Sequence, residues 1–192
     1  MQCILTALKA ESDPLIASFN LVRSSSFNFP VFVNGTQELY LIGLGVGKSK
    51  VEYRIKKFID KINEPLMQFI NIGVAGSNQS FSEIGEIFLI NKITDEQFGH
   101  FYYPDILIDH SMMESDIVTV MDMVNDKDNI YNSLVDMEAS EIFRVCSPIV
   151  HIHNIAFIKI VSDHMEIDLA NFNGTLISSF ITDKLESIII FL

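Results

Sequence analysis

The sequence predicts an α/β fold in which a mixed sheet is covered by helices. Two patterns predict it. Short apolar runs of strand length alternate with longer segments whose apolar residues recur at helical spacing. An Asn34-Gly35 pair between two early apolar runs marks a hairpin, so part of the sheet must be antiparallel. The 192 residues fit one domain spanning 1–192, without an internal repeat, low-complexity tract or interdomain linker. A chain of this length buries roughly 70% of its unfolded surface, so it needs no metal or disulfide to fold.

Cys3–Leu8 reads as a buried strand. In the segment after it, Ser12 or Asp13 is expected to cap a helix with Pro14 in its first turn. Val31–Val33 and Leu39–Leu44 form the hairpin arms. Gly45-Val46-Gly47-Lys48 then opens a helix with Val51, Ile55, Phe58 and Ile62 on one face. Phe69–Ile72 reads as a strand ending in glycine, and Glu86–Ile90 and Asp116–Val120 as two more. Asn125–Asn132 is polar and reads as a loop or a short helix. Met137–Cys146 is a predicted helix and Ile155–Val161 a strand, apolar except for Lys159. Leu176–Leu192 closes the chain as a helix, with Ile177, Phe180, Ile181, Leu185 and Ile188 on one face.

Composition narrows the function. Hydrophobic residues make up 48% and charged ones 20%, the balance of a globular protein. The net charge of −12 repels DNA, RNA and anionic lipid, so neither nucleic acid nor a membrane is an expected partner. A small neutral ligand feels no such penalty, whereas a phosphate co-substrate would need a local cationic pocket. The two cysteines, Cys3 and Cys146, read as buried thiols of a reducing, cytoplasmic compartment. The opening Met-Gln-Cys-Ile-Leu lacks a secretory pattern, and no apolar run approaches the ~20 residues of a membrane span.

Ligands of α/β sheets collect at the carboxyl ends of strands. Glu11, Gly73–Gly76, Glu138 and Asp163 fall at or near such ends. The small residues of Gly73-Val74-Ala75-Gly76 let a ligand approach the backbone, although a turn that binds nothing has the same pattern. Glu138, at a helix start, suits the helix dipole, and its two oxygens also suit two vicinal hydroxyls, with Met137 as an apolar wall. Asp163 follows a strand beside Ser162 and reads as a cap or as a general acid. Glu11 reads as a solvated helix-start acid or as a base for water. His151 and His153 lack a third ligand, so no metal is expected. His164 adjoins Asp163 and is a candidate for its hydrogen-bond partner or for the pocket rim.

Taken in order, these segments resemble the nucleoside phosphorylase/nucleosidase superfamily. Ala7-Leu8-Lys9-Ala10-Glu11 resembles the first strand and catalytic glutamate of methylthioadenosine/S-adenosylhomocysteine nucleosidases, and Gly45-Val46-Gly47-Lys48 their Gly-Ile-Gly-Lys turn. Asn71-Ile72-Gly73-Val74-Ala75-Gly76, with Ile84-Gly85-Glu86-Ile87, is similar to the glycine-rich segment of futalosine hydrolases. Val135-Asp136-Met137-Glu138-Ala139 resembles the ribose-binding Val-Glu-Met-Glu-Ala, and Ser162-Asp163 the Ser-Asp pair of purine-specific members. The last two segments carry the most weight.

The resemblance implies a single three-layer α/β/α domain with a central mixed sheet, nucleoside phosphorylase-like, in a homo-oligomer, with a dimer favoured. It implies hydrolysis of a purine nucleoside such as methylthioadenosine, adenosylhomocysteine or futalosine, without a cofactor. Carried over, Glu11 is the water base and Asp163 assists the departing purine. Met137 and Glu138 hold ribose, and Val74, Ala75, Gly76 and Ser162 complete the substrate contacts. Phosphorolytic relatives hold phosphate with arginines, and Glu11 stands where a carboxylate would repel phosphate, so hydrolysis is expected over phosphorolysis. A phosphorylase and a non-catalytic nucleoside binder are the alternatives. Val74 departs from the serine of the nucleosidases, and the stretch from Gly99 to Leu134 is short, with Phe98, Phe101, Tyr102 and Tyr103 as candidate stacking partners for a base.

Overall fold

The computed structural model describes every residue except 37, 65–66, 126–129 and 166–172. In chain order its elements are β1 (Gln2–Thr6), α1 (Lys9–Ser18), β2 (Val22–Arg23), β3 (Val31–Val33), β4 (Leu39–Gly43), α2 (Lys48–Ile62), β5 (Gln68–Gly76) and β6 (Ile87–Asp95). Then come β7 (His100–Tyr102), β8 (Met113–Thr119), β9 (Leu134–Asp136), α3 (Ala139–Cys146), β10 (Ile155–Asp163), α4 (Gly174–Asp183) and α5 (Leu185–Phe191).

The sheet is mixed, as expected. Its strand order is β10-β6-β8-β9-β5-β1-β4-β3-β2, with β7 paired to β6 and a further pairing of β10 to β5. That last pairing closes β5, β10, β6, β8 and β9 into a ring, so this half of the sheet is barrel-like and the other half is an open wing. The expected three-layer stack therefore does not describe the whole sheet. The pairings around the ring range from eight positions between β10 and β5 to one between β9 and β5. β9 meets β5 at a single position, Gly76 opposite Val135.

Alternation along the strands divides the interior in two. Phe157 and Val161 of β10 face one core with Val51, Ile55 and Phe58 of α2 and Ile142 and Phe143 of α3. Ile158 and Ile160 face the other, with Leu15 of α1, Ile181 of α4 and Ile188 of α5. The odd-numbered face of β10 also carries Lys159, which is 2% exposed.

Several boundaries differ from the sequence reading. Helix α1 starts before Ser12 and Asp13, with Leu8 as its N-cap, and Pro14 lies inside it. The proline has no N–H for the Ala10 carbonyl, which accepts instead from Ser178 Oγ of α4 at 2.8 Å. Strand β5 runs on through Gly73–Gly76 because those residues pair with β10. The closing helix breaks at Lys184 into α4 and α5. Within the polar Asn125–Asn132 stretch, residues 126–129 lie outside those described.

Candidate active site

A cavity of about 490 Å³ opens where β1, β5, β8, β9 and β10 end, a volume within the usual range for small-molecule sites. The catalytic and substrate-binding candidates from the sequence line it: Glu11 from the first turn of α1, Val74, Ala75 and Gly76 from β5, Met137 and Glu138 between β9 and α3, and Ser162 and Asp163 from β10.

Glu11 is held by the backbone. Its Oε2 accepts the N–H groups of Ala7 and Leu8, each at 2.8 Å, and its Oε1 that of Val74 at 3.0 Å. A carboxylate oxygen has about two acceptor positions, so Oε2 is saturated and Oε1 keeps one for a ligand or water. Burial raises the Glu11 carboxyl above its ordinary value, and the main-chain donors and Lys159 oppose the rise.

Glycine makes that seat possible. A Cβ on Gly73 would stand 2.9 Å from Glu11 Oε1, and one on Gly76 would stand 2.7 Å from Met165 Cγ and 3.3 Å from an Asp163 oxygen. The glycine-rich strand end thus admits the protein's own carboxylates, a role that small size alone did not distinguish from room for a ligand.

A bulge between Val161 and Asp163 shifts the β10–β5 register at Ser162. Such an extra residue re-aims the side chains beside it. Asp163 Oδ2 accepts from Ser162 Oγ at 2.7 Å, and Oδ1 from the Met165 N–H at 2.8 Å. Met165 follows with φ of 56°, a left-handed conformation that a non-glycine residue adopts only when its surroundings hold it there. His164 lines the same cavity but makes no hydrogen bond to Asp163; its Nδ1 is buried without a partner among the described residues.

Glu138 differs from both acids. It is the N-cap of α3 and 8% exposed, and its carboxyl is pushed up to about 8. Burial is the main cause, repulsion from Asp136 and Glu11 adds to it, and Lys159 opposes it.

Asp136 and Lys159 escaped the sequence reading. Asp136 lines the cavity, and its Oδ2 accepts from Lys159 Nζ at 2.8 Å and from the Ala139 N–H at 2.9 Å. Its Oδ1 accepts from Thr119 Oγ1 at 2.7 Å. The visible signal was a single lysine in the apolar run of β10, together with the aspartate inside the Val135–Ala139 motif.

The candidate stacking aromatics do not line the cavity. Phe98 lies against His100 and under Lys48, while Tyr102 packs on Phe143. Phe101 faces Lys92, and Tyr103 is exposed. The rings of His151 and His153 stack on each other, and no group of metal-ligating side chains occurs among the described residues. No helix is long and apolar enough to cross a membrane among the described residues.

No protein-family model matches the chain, and no curated protein matches it in sequence. Solved structures do match. The chain is similar to the 5′-methylthioadenosine/S-adenosylhomocysteine nucleosidase of S. pneumoniae, solved with the transition-state inhibitor MT-ImmA. The TM-score is 0.80 at 16% identity, covering 100% of this chain and 98% of that one. The chain has the nucleosidase fold. Futalosine hydrolase of Helicobacter pylori matches with a TM-score of 0.72 at 16% identity, over 100% of this chain and 97% of that one. The apo 5′-methylthioadenosine nucleosidase of Arabidopsis thaliana matches with a TM-score of 0.76 at 16% identity, over 99% and 94%. These are the enzymes that the sequence motifs resemble, although so few residues are shared.

Proposed function

We propose that the chain hydrolyses the N-glycosidic bond of a purine nucleoside and releases the free base. The observation that carries this reading is the convergence of Glu11, Glu138 and Asp163 on one cavity that no lysine or arginine lines among the described residues. Water needs a base, a sugar diol needs a paired acceptor and a departing purine needs a proton or hydrogen bond; three carboxyl groups can divide those tasks.

In this reading the C1′–N9 bond breaks as Asp163 donates to a ring nitrogen of the base, so its electron pair leaves with the purine. The ribosyl cation that develops lies beside the Glu11 carboxylate, which stabilises it electrostatically. Glu11 takes a proton from water through the free position on Oε1, and the resulting hydroxide bonds to C1′. Glu138 receives the ribose hydroxyls, with Met137 against the sugar. A raised carboxyl makes Glu11 a stronger base than a solvated glutamate, closer to the range where a general base works best.

The same lining argues for water over phosphate. Lys48, on the turn that brings Val46 to the cavity, is engaged by Asp95 at 3.0 Å. A phosphate dianion would meet the carboxyl groups of Glu11 and Asp163, with no lysine or arginine lining the cavity among the described residues.

Free-base release from a panel of purine nucleosides, with and without inorganic phosphate, tests the proposal. Release without phosphate is expected. Release only with phosphate would make the chain a phosphorylase, and binding without release a nucleoside-binding protein.

A further inference from the structure

We propose that Lys159 is a positioning residue of this site, its ammonium clamped to Asp136 beneath the cavity and aligning Glu138 through the start of α3. The inference rests on the nucleosidase reading only for its catalytic consequence; the electrostatic part stands on the buried Lys159–Asp136 ion pair and the acids around it.

Lysine is among the residues least often buried, and an isolated ammonium in an apolar interior is strongly disfavoured. Lys159 is nonetheless 2% exposed, between Ile158 and Ile160 of a strand whose neighbours on its own face are Phe157 and Val161. Strands β9 and β10 are not hydrogen-bonded neighbours in the sheet, so the Lys159–Asp136 bridge spans the interior of the strand ring.

The charged groups facing Lys159 are Asp136 from β9, Glu138 from the turn into α3 and Glu11 from α1. All three are under a tenth exposed. Three buried carboxyl groups around one cavity repel each other's ionisation, and one ammonium offsets part of that repulsion. Burial pulls the lysine itself down, but attraction to Asp136, Glu138 and Glu11 outweighs it and holds the ammonium charged.

The bridge also transmits position. The Asp136 oxygen that takes Lys159 Nζ takes the Ala139 N–H as well. Ala139 is the first residue of α3, and Glu138 is its N-cap. Without Lys159, Asp136 becomes an unpaired buried carboxylate. It then takes up a proton or moves, and the helix start that aims Glu138 moves with it.

The test uses the full chain with ¹³C-labelled glutamate carboxyl groups, titrated by NMR without substrate. Lys159→Met is expected to move the Glu138 midpoint up by about one pH unit, and Lys159→Arg to return it. Should Lys159→Met fail to fold, Asp136→Asn is compared with Asp136→Asn/Lys159→Met, where no buried charge is left alone. The double variant is expected to titrate Glu138 about one unit higher than Asp136→Asn. Equal midpoints in both comparisons would overturn the proposal. Base-release kinetics of the same variants should show KM raised about tenfold with kcat less affected; a fall confined to kcat would overturn the positioning role. If the wild type releases no base, the nucleosidase reading fails while the titration still decides the lysine.

Discussion

Two strand-to-helix turns, β1–α1 and β9–α3, each deliver a glutamate to the same cavity, yet they treat it in opposite ways. Glu11 sits inside its helix and reaches back to the Ala7 and Leu8 N–H groups, with Val74 gripping its other oxygen. Glu138 precedes its helix as the N-cap, and its carboxyl makes no capping hydrogen bond. The neighbouring Asp136, not Glu138, takes the Ala139 N–H at the start of α3. A glutamate at a helix start is therefore not one kind of site. Where the turn spends the carboxylate on backbone donors, the group is fixed in place for chemistry. Where another acid does the capping, the group keeps its lone pairs for a ligand.

The largest expected difference is catalytic. Glu11→Gln should lower base release by roughly 10²–10⁴-fold, the usual worth of a general base. It should also destabilise the fold by about 1–3 kcal/mol, because an amide presents donors to N–H groups that need an acceptor. Thermal unfolding and steady-state kinetics on one preparation measure both. Glu138→Gln should instead weaken nucleoside binding about tenfold, within the range expected for one lost hydrogen bond, while leaving the fold intact near neutrality. Equal losses of stability in the two variants would erase the distinction between the turns.

Stability against pH sharpens the comparison. The folded chain holds a proton on Glu138 up to about pH 8, whereas the unfolded chain releases it near 4.5. Between those values the folded state binds more protons, so its stability falls as pH rises; below 4.5 both states are protonated, and above 8 both are ionised. Glu11, shifted in the same direction, adds to the slope. Glu138→Gln should flatten the decline and leave the variant more stable than wild type at pH 9, by at most about 5 kcal/mol. A melting-temperature series from pH 5 to 9 reads this directly, and parallel curves would show that Glu138 is not held neutral by its surroundings.

Much of the site was legible before the fold was known, for a physical reason. Glu11, Glu138 and Asp163 are acids at the ends of apolar runs, and strand ends are where α/β sheets gather ligands. The local patterns of α2 and of the β3–β4 hairpin also carried through, since Val51, Ile55 and Phe58 face a core and Asn34-Gly35 opens the loop between the arms. What escaped depends on distant partners. Lys159 marked an anomaly in β10, but nothing nearby in sequence named Asp136 as its counter-ion. Strands β7 and β9 have three residues each, too few to display a period, and β9 helps to close the ring. Pro14 suggested a first turn by local rule, but Ser178 of α4 satisfies the carbonyl freed by a proline inside the helix.

The smallest effect separates two glycines on one strand. A Cβ at Gly73 would press on Glu11 Oε1 at 2.9 Å, and one at Gly76 on Met165 Cγ at 2.7 Å. Distance alone ranks Gly76 as the tighter site. The yielding atoms reverse that order, because the Glu11 carboxylate is pinned by main-chain bonds while a methionine side chain has several rotamers to move into. Gly73→Ala should therefore lower kcat about tenfold at a stability cost of about 1–2 kcal/mol, and Gly76→Ala should cost less than about 1 kcal/mol. The added Cβ at Gly76 would also stand 3.3 Å from the Asp163 oxygen, a tight contact that asks for a shift of a few tenths of an ångström. If Gly76→Ala proves the more damaging, the fixed group in this cavity is Asp163 on its bulge rather than Glu11 in its turn, and the two sides of the site exchange roles.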